Sequence, residues 1–105
     1  MIKHLFMHLF VSALLTVNST PAWSAGDAEL GQAVAQKWCA TCHLVSDSQT
    51  SASADVPTFR SIAAKYDDNS DALAAFLADP HPPMPSLSLT WNQIRDLVAY
   101  IGSLR

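Results

Sequence analysis

Apolar residues recur three and four positions apart in several stretches of this chain, and no stretch alternates convincingly with period two. From Asp27 to Trp38, acidic residues open the first turn, where the helix dipole favours them. Leu30, Val34 and Trp38 then follow at i, i+4 and i+8, which predicts a helix with that stripe turned inward. Ser46 to Asp55 is a Ser/Ala/Thr-rich run without period and reads as a loop ending at Pro57. Phe59, Ile62, Ala63 and Tyr66 predict a short helix. Asp68 to Asp71 offers caps for a third, Asp71 to Ala78, with Leu73, Phe76 and Leu77 facing inward. Pro80 stops it, and four of the six prolines fall between Pro80 and Pro85, so that segment is neither helix nor central strand. Thr90-Trp91-Asn92-Gln93 has the form of a capping box, and Ile94, Leu97, Val98, Ile101 and Leu104 continue as a final helix. The expected fold class is all-α, one domain of three to four helices.

The first 25 residues are of a different kind. Lys3 precedes an apolar run from Leu5 to Val17, and small and turn-forming residues fill Asn18 to Ala25. That is the layout of a secretory signal peptide. The run is about a dozen residues, short of the ~20 that span a bilayer. Ala22-Trp23-Ser24 and Thr20-Pro21-Ala22 both place small residues suitably for cleavage. An uncleaved N-terminal anchor is the competing reading. The division expected is 1–25 signal peptide and 26–105 functional domain. A domain of that length is marginal without a staple such as a disulfide, metal or cofactor. Residues 26–105 carry five basic and nine acidic side chains, a net −4 with neutral histidines. Nucleic acid calls for basic patches, so it is not an expected partner; charge would steer docking toward a basic one.

Cys39-Ala40-Thr41-Cys42-His43 carries the chemistry. It has the form C-x-x-C-H, the attachment signature of c-type haem. On a helical turn, residues three and four apart share a face, so two thiols and an imidazole converge on one object. The thiols can add to the two vinyl groups of a haem, and His43 can reach its iron. These are the chain's two cysteines. A redox-active C-x-x-C would accompany a βαβ pattern, and a Cys39–Cys42 disulfide would close too short a loop to restrict the unfolded chain. A zinc site drawn from Cys39, Cys42, His43 and His81 departs from the usual ligand spacings.

Met84, the one methionine beyond residue 25, stands in His81-Pro82-Pro83-Met84-Pro85. A thioether on haem iron favours the ferrous state relative to a second imidazole, and flanking prolines lower the entropy lost in holding it there. His81 is the rival sixth ligand, and a gap-filling core role is the plain alternative for Met84. Trp38, Phe59, Phe76 and Trp91 are candidates to pack on the haem or between helices. Arg60, Lys65 and Tyr66 are candidates to meet a haem propionate.

With Gly31, the Cys39–His43 motif, Pro57, the Met84 loop and Leu97-Val98-Ala99-Tyr100 in this order, the chain resembles the small class I cytochromes c of periplasmic, proteobacterial type. The resemblance spans nearly all of 26–105. It implies helices packed around one covalently bound haem c per chain, with cofactor-binding residues Cys39, Cys42, His43, Met84 and Pro57 and iron ligands His43 and Met84. It further implies haem attachment outside the cytoplasm and periplasmic localisation. A monomer would carry one electron at a time between redox partner proteins, with no catalytic residues. In the resemblance, Gly31 lets the first helix cross close to the last near Tyr100, and the Pro57 carbonyl accepts from His43 Nδ1–H. Members often place an aromatic where this chain has Ala35; Trp38 is the candidate to compensate. A haem-bearing subunit of a larger dehydrogenase or oxidase is a further reading. A haem peroxidase or gas-binding protein would need an open sixth position and a distal acid/base group, for which His81 is the one histidine of residues 26–105 besides His43.

Overall fold

A computed structural model describes residues 26–105; the expected signal segment and its cleavage or retention lie outside the described residues. Four helices and no strand are present among the described residues: α1 Ala28–Trp38, α2 Phe59–Lys65, α3 Ser70–Ala78 and α4 Trp91–Gly102. The expected all-α class is the observed one, and each helix starts on a side-chain cap. The Asp27 carboxylate accepts from the backbone N–H groups of Glu29 and Leu30 at 2.9 and 3.1 Å. Thr58 and Asn69 cap α2 and α3 in the same way. The capping box at α4 is complete: Thr90 Oγ1 accepts from Gln93 N–H at 3.1 Å, and Gln93 Oε1 accepts from Thr90 N–H at 2.9 Å. These bonds satisfy first-turn donors that a helix leaves without partners.

The last helix is the hub. α1, α2 and α3 all pack on α4, whose Ile94, Leu97, Tyr100 and Ile101 are buried. Ala35, Cys39, Val45, Phe59, Ala63 and Leu73 complete a core around Leu97, Tyr100 and Ile101. Gly31 sets the α1–α4 crossing. A Cβ there would lie 2.0 Å from the Asp96 carbonyl oxygen and 2.8 Å from Tyr100 Cβ, so the two backbones meet at a distance that only glycine permits.

That close approach corrects one expectation. The buried stripe of α1 is Gly31, Ala35 and then Cys39, one position round from the expected Leu30, Val34 and Trp38. Small residues face α4, and the larger ones are displaced to the rim: Leu30 is 57 % exposed and Trp38 49 %. Trp38 therefore does not stand in for the aromatic missing at Ala35; Ala35 itself is fully buried. Trp91, at the head of α4, is 67 % exposed and is not an interhelical residue either. Phe59 is in the core, Phe76 is half-buried, and α3 begins at Ser70, one residue before the expected start, on Asn69, which lies within the run of caps expected at 68–71.

Candidate haem site

Cys39 is the C-cap of α1, and the chain then turns back on itself. The Cys39 carbonyl accepts from Cys42 N–H at 3.2 Å and from His43 N–H at 2.9 Å, a tight turn that brings Cys42 and His43 beside Cys39. The two cysteines are free thiols of unlike exposure, Cys39 buried and Cys42 exposed. Burial pushes the Cys39 thiol from 9.0 up to about 11, so it stays protonated at neutral pH.

His43 is positioned from two sides. Its Nδ1 lies 2.6 Å from the Pro57 carbonyl oxygen. A carbonyl can only accept, so Nδ1 carries the proton and Nε2 keeps its lone pair for a metal. Pro57 is able to serve because it precedes the α2 cap: the first carbonyl that α2 uses is that of Thr58, which leaves Pro57 O free. The Phe59 ring packs against the imidazole, centroids 5.5 Å apart and tilted by 57°. Phe59 in turn meets the Tyr100 ring at 6.3 Å, which ties the histidine to α4.

Cys39, Cys42, His43 and Pro57 are thus brought together, and Met84 lies half-buried in the loop between α3 and α4. Leu89 of that loop packs against the core, and two further contacts lie near the proline segment. Met84 N–H donates to the His81 carbonyl at 3.1 Å, and the exposed His81 ring meets the edge of Phe76 at 5.8 Å. Among the described residues no three His, Cys, Asp or Glu side chains gather as a metal cluster, so His81 does not join the motif in the four-ligand arrangement weighed for zinc. The residues suggested for a propionate have other partners. Arg60 bonds Asp47 at 2.7 Å and the Leu104 carbonyl at 3.2 Å, and Lys65 lies over the Tyr66 ring at 5.4 Å.

Sequence reasoning passed over two groups that shape this site. Tyr100 lines the helix crossing, and its hydroxyl also donates to the Val45 carbonyl at 2.6 Å inside the core. Gln49 lies in the run read as a patternless loop, and its side chain folds under the motif. The available signal was its length: it is the one long uncharged polar side chain among Ser, Thr, Ala and Asp from 46 to 55.

Two unpaired thiols beside an imidazole with a free Nε2, on one turn, form a donor set suited to a covalently held iron porphyrin. The family model for cytochrome c matches residues 28–105. The chain belongs to the cytochrome c family. The cytochrome is 46 % identical over 102 residues to cytochrome c-552 of Bradyrhizobium diazoefficiens, covering 97 % of this chain and 98 % of that protein. No solved structure matches it. As a family member it binds haem c covalently through a C-x-x-C-H motif, and Cys39 to His43 has that form. Its work is electron transport with redox partners, not catalysis on a substrate.

Proposed function

We propose that this cytochrome is an exported, monomeric one-electron carrier of the periplasm, with haem c bonded to Cys39 and Cys42 and its iron held between His43 Nε2 and Met84 sulfur. The haem supplies the one-electron couple. The chain's part would be to hold His43 and Met84 so that little moves when the charge on iron changes. What carries the reading is the bond from His43 Nδ1–H to Pro57 O at 2.6 Å, which presents Nε2 to a metal and makes the ring a stronger donor. Met84 is favoured over His81 because thioether ligation pairs with histidine in cytochromes c. It is also half-buried in a proline-braced loop, while His81 is exposed and packs on Phe76. Residues 1–25 would direct export, leaving 26–105 as the working domain. Among the described residues no helix is long and apolar enough to cross a membrane.

The test is the absorption spectrum of the purified protein and of Met84→Ala. The wild-type ferric spectrum should contain a sulfur-to-iron charge-transfer band, and the haem should stay with the protein in acidified organic solvent. Met84→Ala should lose the band and fall in reduction potential. A band that survives the substitution, or a wild-type spectrum of bis-imidazole type, would remove Met84 from the iron.

A further inference from the structure

The turn that presents Cys42 and His43 lies beyond the end of a helix, so its carbonyls lack regular partners and each must find one. Their partners can be named one by one. The Cys39 carbonyl takes Cys42 N–H and His43 N–H, and the Cys42 carbonyl takes Ser53 N–H at 3.1 Å. The Leu44 carbonyl takes Phe59 N–H at 2.9 Å, and the Val45 carbonyl takes the Tyr100 hydroxyl. Thr41 is exposed; the carbonyls of Ala40 and of His43 itself are both met by one side chain. Gln49 Nε2 donates to Ala40 O at 2.8 Å and to His43 O at 2.8 Å, with Ser51 O a third acceptor at 3.0 Å. Its Oε1 accepts from Val45 N–H at 3.0 Å. Two N–H bonds thus serve three carbonyls, so one is shared, and the amide binds the turn at its entry, at its histidine and at its exit.

We infer that Gln49 is a positioning residue for the His43 imidazole, an inference that rests on His43 being the iron ligand. The His43 carbonyl belongs to the peptide that sets the direction of the residue carrying the ring. Holding that carbonyl keeps the ring where Nδ1 meets Pro57 O. Glutamine is suited to this by chemistry and by length together. Glutamate has the reach but no N–H to donate, and asparagine is a methylene too short to span Ala40 O and Val45 N–H at once.

The experiment uses the haem-loaded full chain as wild type, Gln49→Glu, Gln49→Met and Asn69→Ala. The last removes a cap of α3 and lowers stability away from the motif. Two readouts are taken well below each melting midpoint: solvent exchange of the His43 Nδ1 proton by nuclear magnetic resonance, and the reduction potential. Both Gln49 variants should exchange that proton about tenfold faster or more, as loss of the amide donors to these part-buried carbonyls frees the turn, and both should shift the potential. Asn69→Ala should leave both readouts at wild-type values. Gln49 variants that match wild type, or change no more than Asn69→Ala, overturn the inference. The wild type supplies an independent check should the variants not accumulate. The Gln49 side-chain amide protons should be protected, and exchange at the rate of a free amide overturns the assignment. A wild-type spectrum without histidine ligation overturns the ligand assignment itself, which sets that failure apart from failure of Gln49's role.

Discussion

Tyr100 shows how one atom can couple the helical core to the haem turn. Its ring is buried on α4 against Phe59, while its hydroxyl reaches the Val45 carbonyl at 2.6 Å. Removing the hydroxyl leaves that carbonyl without a partner, so Tyr100→Phe should cost about 1–3 kcal/mol at neutral pH, measurable by denaturant unfolding. Burial, with the Asp47 carboxylate second, raises the Tyr100 pKa above its ordinary 10.0. The folded state therefore holds this proton more tightly than the unfolded chain. The resulting stability is fully present below pH 10 and declines as pH rises through the raised folded value. A titration of stability above pH 9 should show this alkaline loss in wild type and a smaller one in Tyr100→Phe; equal slopes would show that the hydroxyl is not held as described.

At the scale of elements, the α1–α4 crossing decides the architecture. The Gly31 contact with Asp96 is backbone against backbone, and backbone cannot rotate away as a long side chain can. A second link, Asp27 N–H to the Asp96 carboxylate at 2.8 Å, ties the start of α1 to the middle of α4. Gly31→Ala would ordinarily favour a helix by about 1 kcal/mol through propensity. Here the clash should reverse that sign and destabilise by about 3 kcal/mol, the upper part of the usual overpacking range. A thermal midpoint at or above wild type would show that the helices can separate cheaply. The loop between α1 and α2 is also more than a connector: without the hydrogen bonds that Gln49 and Ser53 make to the motif's carbonyls, the turn bearing His43 would have to be held by solvent.

Among the described residues the charges are arranged so that the cations are occupied. Arg60 and Arg105 pair with Asp47 and Asp67 at 2.7 and 2.5 Å. Lys37 and Lys65 lie over the Trp38 and Tyr66 rings, and Arg95 bonds Asn92. Exposed pairs of this kind add little stability, but they leave the acidic excess to set the outer field. Electron exchange with a basic partner should slow by about tenfold or more between ~10 and ~150 mM salt, read by stopped flow; a rate indifferent to salt would show that charge does not steer docking. The helices, the capping box of α4 and the Cys39–His43 motif were legible because each is a local pattern, spelled by residues a few positions apart. The inward face of α1 was misread by one position because apolarity alone weighs Leu30 and Trp38 above Gly31 and Ala35, whereas packing distance selects the small residues. Gln49 had no pattern to betray it, since its partners at Ala40, His43 and Val45 carry no side-chain signal and are met only when the backbone folds over it. Local order thus named the chemistry, because one tight turn after a helix suffices to juxtapose two thiols and an imidazole. The aim of that imidazole was decided by the tertiary fold, because the carbonyl of Pro57 comes from fourteen residues away.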